Sequence, residues 1–225
     1  MFPLFDINRR RTFPFWTIAI IIINVVVYIF VQPYLPDSYY ISPQKFLAMT
    51  SVNPLDINAW WLLFLSMWFH GSLYHLLSNM WFLYIFGDNL ESDLGKFYVP
   101  FYLIGGMVAG LTHIFMMPNS ADFFIGASGA ISAVMGAYLV FYPRARIASL
   151  VFLVFFITII ELPAWFWLLF WFFQGNVLPT LLNSMDYVAY WAHIGGFVFG
   201  VVFGLIALPL IRREKSQRYD APYRW

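Results

Sequence analysis

The sequence predicts an all-α polytopic membrane protein with six transmembrane helices packed as a bundle. Three observations carry that prediction. Of 225 residues, 62% are hydrophobic and only 10% charged, against about 25% charged residues in a soluble domain. Apolar runs of spanning length recur along the whole chain. Lys and Arg are sorted between the connecting segments as an even number of crossings would sort them. Aromatic residues reach 22%, which suits aromatic belts at two interfaces. The absence of cysteine excludes disulfides, thiolate metal sites and a cysteine nucleophile.

The elements follow in order. A short basic segment, 1–13, contains Arg9, Arg10 and Arg11. The apolar run after it is long enough to span, and Gln32-Pro33 follows it in place of a small-residue cleavage site. It reads as a retained first span, 14–32. Residues 33–71 are interrupted by Pro33, Pro36, Pro43 and Pro54. Their aromatic stretches, Trp60 to Phe64 and Met67 to Phe69, read as pieces lying in the interface. Further spans fall at 72–87, 97–117, 127–142, 162–178 and 189–211. The stretch 147–173 is too long for one of them, since a continuous helix would run about 40 Å against a hydrocarbon core of about 30 Å. Glu161-Leu162-Pro163 divides it, because proline disfavours helical geometry just before itself. The first part, 147–160, becomes an apolar element at the cytoplasmic interface. Span five then starts near Pro163, with Glu161 as an interfacial cap. The polar tail, 212–225, is too short to fold alone, so 1–225 forms one membrane domain.

With six spans, Arg9, Arg10, Arg11, Lys96, Arg144, Arg146, Arg212, Arg213, Lys215, Arg218 and Arg224 fall on one side. Only Lys45 falls on the other. Both termini are therefore expected to be cytoplasmic, and the compact layout without added domains suggests a prokaryotic cytoplasmic membrane.

Polar groups inside spans are costly and each requires a reason. Span two opens with His75 and Asn79, four residues apart and so on one helical face. Span four opens with Gly126-Ala127-Ser128-Gly129, and span six with Trp191-Ala192-His193-Ile194-Gly195-Gly196. All enter from the outer side, which places His75, Asn79, Ser128 and His193 roughly 5–10 Å below it. Gly129, Ala133 and Gly136 on span four, and Gly196, Gly200 and Gly204 on span six, form small-residue stripes that permit close backbone approach. Facing stripes would bring Ser128 and His193 together. A serine hydroxyl becomes a competent nucleophile when a histidine in hydrogen-bond reach takes its proton. No Asp or Glu lies at that depth, so the expectation is a dyad. Asn79, His75 and the Ser128 backbone N–H, a first-turn amide without a helical partner, are the candidate oxyanion donors. Gly126, Gly129, Gly196 and Gly200 are the candidate packing residues around the dyad.

At these residues the chain resembles the rhomboid family of intramembrane serine proteases, in its prokaryotic six-span form. The resemblance rests on His75-x-x-x-Asn79, Gly126-Ala127-Ser128-Gly129 and Ala192-His193-Ile194-Gly195-Gly196 in the right order. His70 matches a further family histidine, and Gly87 to Gly95 matches the family's loop after span two. The resemblance implies a serine endopeptidase that cleaves membrane-protein substrates near the outer face without ATP, metal or other cofactor. It implies Ser128 as nucleophile, His193 as base, and His75 with Asn79 at the oxyanion hole. It also implies that 33–71 is a half-submerged loop and that span five is the candidate lateral gate. Two positions depart from common family patterns: Trp61-Leu62 stands where many members have Trp-Arg, and Ser132 where some have tyrosine packed on the histidine.

Other readings compete. A pseudoprotease that recognises client spans usually lacks the serine or the histidine, and both are here. A transporter using His75 and His193 as a proton relay lacks an intramembrane carboxylate and an inverted repeat. There is no His-Glu-x-x-His for zinc and no Gly-x-Gly-Asp within a span. His70 reads as a loop-ordering hydrogen-bonder and His113 as interfacial. Glu91 and Asp93 read as backbone hydrogen-bonding groups of a turn.

Overall fold

Apolar runs bounded by proline and glycine become helices, and the computed structural model describes residues 1–8, 12–153, 156–182 and 188–220. Helix α1 (Phe15–Val26) continues through a π-helical turn, Val27–Val31, and a 3₁₀ turn, Gln32–Tyr34. Two short helices follow, α2 (Pro43–Val52) and α3 (Ile57–Ser66). The long helices come next: α4 (Leu73–Leu94), α5 (Tyr98–Met116) and α6 (Ser128–Phe141). Helix α7 (Ala164–Phe172) passes through a π-helical turn, Phe173–Val177, into α8 (Leu178–Leu181), and α9 covers Tyr190–Asp220. Among the described residues, three helical runs are long and apolar enough to cross a membrane: Phe15–Tyr34, Leu73–Met116 and Tyr190–Arg212. The second is two helices, α4 and α5, broken at Gly95, whose φ of 53° ends α4. The protein is thus a mostly helical, integral membrane protein.

One expectation fails here, because the fold is not all-α. The described residues of 147–160 lie in two antiparallel strands, β2 (Arg146–Leu153) and β3 (Phe156–Pro163), and β1 (Phe2–Asp6) adds a third antiparallel strand on the other edge of β2. The segment is rich in β-branched and aromatic residues, which favour strands. Its register places Arg146 opposite Pro163 and Leu153 opposite Phe156. Phe152, Phe156, Ile157 and Ile159 are exposed, as an apolar interfacial element would be. Glu161 does not cap a helix; it sits in β3 and pairs with Arg146 across the hairpin at 3.2 Å. The helix after this segment, α7, does begin directly after Pro163, where the division was expected.

The sheet lies at the same end of the molecule as the C-termini of α4 and α6. Asp6 of β1 accepts hydrogen bonds from Tyr138 Oη of α6 at 2.6 Å and Asn89 Nδ2 of α4 at 2.7 Å. Trp81 of α4 donates its indole N–H to the Pro3 carbonyl. Arg9, Arg10, Arg11 and Arg224 lie outside the described residues, as do the side chains of Arg213, Lys215 and Arg218.

Residues 87–94 are not a loop but the last turns of α4. Their role is capping, though of a neighbour. Pro14 gives α1 no side-chain cap, and the Glu91 carboxylate accepts from the backbone N–H groups of Trp16 and Thr17 and from the Thr17 hydroxyl, at 2.8–2.9 Å. A carboxylate at a helix N-terminus satisfies orphan donors and complements the helix dipole. Asp93 accepts from the Tyr142 hydroxyl. Gly87 leaves room for Thr17 and for the Tyr98 hydroxyl, at 2.6 Å from where its Cβ would stand.

Two predictions follow from this end of the molecule. Glu91→Ala should destabilise the detergent-solubilised protein by about 2–4 kcal/mol, because charge-assisted hydrogen bonds contribute roughly 1.5–3 kcal/mol each; a thermal melt measures it. Burial, reinforced by nearby Asp88, raises Asp6 to about 6. Its stabilising contribution is therefore complete below the ordinary carboxylate range and lost as pH rises through about 6. Asp6→Asn should melt higher than the parent at pH 7.5 and level with it near pH 3.

Candidate active site

Helix α6 packs more extensively on α9 than on any other element. The reason is the absence of side chains along the contact. A Cβ on Gly196 would collide with the Gly129 carbonyl, one on Gly200 with the Ala133 carbonyl, and one on Gly136 with the Phe197 carbonyl. Gly129 fits against Ala109 of α5. The two stripes therefore face each other as expected.

At one end of this pair, Ser128 is the first residue of α6 and His193 lies in the first turn of α9. Ser128 Oγ and His193 Nε2 are 2.8 Å apart. The other ring nitrogen, Nδ1, is 2.7 Å from Asn176 Oδ1. Asn176 belongs to the π-helical turn after α7 and is fully buried. The sequence reading missed it. The signal was present, an amide side chain inside the apolar interval 162–178, but a search for a carboxylate passes over a carboxamide that can accept the same hydrogen bond.

His75 and Asn79 line the same cavity as Ser128 and His193, an open space of about 1030 Å³. The Gly71 N–H makes a long hydrogen bond, 3.4 Å, to His75 Nδ1. That assigns the ring proton to Nε2, the atom 2.8 Å from where a Cβ on Gly126 would stand. Gly126 itself has φ of 131°, a conformation that favours glycine. Asn79 Nδ2 is buried with no hydrogen-bond partner among the described residues. Both groups can donate toward a developing anion next to Ser128.

The remaining histidines do other things. His70 is held through its backbone: its N–H and carbonyl both bond the Gln32 amide at 2.9 Å. Its ring packs against that of His75 at 5.1 Å and interacts with the Trp68 backbone of the same loop. His113 packs on Phe124 at the rim of the cavity. Ser132, where some family members have tyrosine, bonds back to the Ser128 carbonyl. Two aromatic rings lie beside His193: Trp171 of α7, 6.3 Å away at 31°, and Tyr190 of α9, 6.5 Å away and edge-on. Residues 33–71 carry the exposed apolar side chains Val52, Leu55, Ile57 and Trp61, while Leu62 is buried in a cluster with Phe46, Leu63 and Ile114.

A helical membrane protein with a serine–histidine pair lining an open cavity is the class that fold and site define. The family model of the rhomboid domain matches residues 58–210. The chain is 29% identical over 166 residues to "Rhomboid protein 1, mitochondrial" of Saccharomyces cerevisiae, covering 69% of this chain and 44% of that protein. It is 32% identical over 159 residues to "RHOMBOID-like protein 6, mitochondrial" of Arabidopsis thaliana, covering 67% and 45%. It is 28% identical over 163 residues to the human "Presenilin-associated rhomboid-like protein, mitochondrial", covering 68% and 39%. The chain belongs to the rhomboid family. It spans less than half the length of these curated relatives. Their names point to mitochondria and give no support to the expectation of a prokaryotic cytoplasmic membrane.

Gly196→Ala should lower the melting temperature, since overpacking costs about 1–3 kcal/mol. Gly175→Ala, where the added Cβ meets only the Trp171 ring at 4.0 Å, should leave it within a degree or two of the parent.

Proposed function

We propose that this protein is an intramembrane serine endopeptidase that hydrolyses peptide bonds of membrane-protein substrates near one membrane face. The observation that carries the reading is the 2.8 Å contact between Ser128 Oγ and His193 Nε2. In the reaction Ser128 Oγ attacks the scissile carbonyl carbon while its proton passes to Nε2. The tetrahedral oxyanion receives hydrogen bonds from Asn79 Nδ2, His75 Nε2–H and the Ser128 amide. Collapse breaks the C–N bond and the imidazolium gives its proton to the leaving amine. A water molecule, deprotonated by the same imidazole, then hydrolyses the acyl-enzyme. No step calls for ATP or a metal.

The six crossings belong to the same proposal: α1, α4, α5, α6, the α7–α8 unit and α9 cross in turn, within a single membrane domain spanning 1–225. The basic segments then share the face that carries the β-sheet, with both termini on it. The catalytic cavity opens at the opposite face. Substrate spans reach it between α4 and α7, where Phe82 meets Trp167 and Trp171 through side-chain contacts at 5.8 and 6.3 Å. A client with helix-weakening residues near that face suits the site, because a helical peptide bond is shielded from attack.

The test is incubation of the purified protein with a panel of single-span substrates, with mass mapping of the products. The parent should cut within or beside the span. Ser128→Ala and His193→Ala should not cut yet remain folded, and Asn79→Ala should turn over ~10²–10³-fold more slowly, as for a lost oxyanion donor. Equal cleavage by parent and Ser128→Ala would end the reading.

A further inference from the structure

Asn176 makes two side-chain hydrogen bonds, and together they settle how its amide is turned. Its Nδ2 donates to the Trp171 carbonyl at 3.2 Å, and its Oδ1 faces His193 Nδ1 at 2.7 Å. The flipped amide would set Oδ1 against a carbonyl oxygen, two acceptors with no proton between them. With Oδ1 as acceptor, Nδ1 must carry the ring proton. Nε2 is then left with a lone pair, and Ser128 Oγ is the donor at 2.8 Å.

We propose that Asn176 is a positioning residue for the reaction: its carboxamide oxygen holds the His193 imidazole in the tautomer and orientation that let Nε2 take the Ser128 proton. The inference rests on the proteolytic reading above and adds a third member to the expected dyad. A base held by a third group is the general arrangement of activated serine nucleophiles. A neutral amide fills that role here, where a carboxylate would introduce a buried charge.

The placement of Asn176 gives the contact a consequence. Ser128 and His193 sit on the glycine-packed pair α6 and α9, while Asn176 comes from span five. It lies in a π-helical turn between α7 and α8, in which the Leu178 N–H bonds back five residues to Phe173. Such turns insert an extra residue into a helix and re-aim the side chains around it. The Thr180 hydroxyl bonds the Asn176 carbonyl at 2.7 Å and braces the turn. Trp171, one turn earlier, supplies both the carbonyl that fixes the amide and a ring beside His193. Span five therefore orients the base through two residues, and any displacement of it away from α9 removes both contacts at once.

The test uses full-length protein in detergent with ¹⁵N-labelled histidine, its His193 signals assigned by loss in His193→Gln. In the parent, Nδ1 should be protonated and Nε2 not. Asn176→Leu, of similar volume, should give a tautomer mixture. Its kcat should fall on the order of 100-fold with KM within about twofold, short of the ~10⁴-fold loss when an orienting partner enforces the wrong tautomer. Asn176→Asp, which keeps an acceptor oxygen for Nδ1, should keep the Nδ1-protonated tautomer but recover only part of kcat, because its second oxygen faces the Trp171 carbonyl. A parent ring protonated at Nε2, or an Asn176→Leu protein with unchanged tautomer, would overturn the proposal. So would a Leu variant whose kcat matches the parent. A parent that shows the Nδ1 tautomer but cuts no substrate would sink the protease reading and leave the Asn176 lock intact.

Discussion

Everything at the site depends on how closely α6 and α9 approach. Two helices bearing ordinary side chains pack with axes about 8–10 Å apart. Glycines at 136, 196 and 200 allow backbone to meet backbone, with carbonyls of one helix lying where Cβ atoms of the other would be. A serine at the start of α6 and a histidine at the start of α9 then have no choice but to touch. In a lipid solvent there is little hydrophobic drive to join helices, so such close packing and buried hydrogen bonds supply the cohesion. The same feature that holds the bundle also brings Ser128 and His193 together.

The two ends of the molecule use polar groups differently. At the basic end, Glu91, Asp93 and Asp6 bind helix termini and tyrosines, tying α1, α4, α6 and the small sheet together. At the cavity end, Asn79 Nδ2 is buried without a partner among the described residues, and the serine–histidine pair opens onto a space large enough for a peptide segment. Unsatisfied buried donors are costly to keep, and they are retained where a bound anion satisfies them.

Much of this was legible in the chain. The helices fall where the apolar intervals place them, and the stripes of small residues foretold the α6–α9 contact and with it the meeting of Ser128 and His193. Three features were not legible, each for a physical reason. The 147–163 segment was correctly divided at Pro163 from the helix that follows, α7, but an apolar run has no periodicity that separates helix from strand, and its pairing partner, β1, is more than 140 residues away. Glu91 was read as part of a turn because its partner is the N-terminus of another helix, again remote in sequence. Asn176 lay hidden in a run of aromatic residues, since nothing local says that a π-helical turn will aim it at His193.

Reaction with a fluorophosphonate tests the central claim, that Ser128 is activated by His193, without any knowledge of the substrate. Intact mass followed by peptide mapping should show one adduct, on Ser128, in the parent protein and none in His193→Ala that still melts cooperatively. Labelling of Ser128 at the same rate with and without the imidazole, or modification of serines elsewhere in preference to it, would contradict the account.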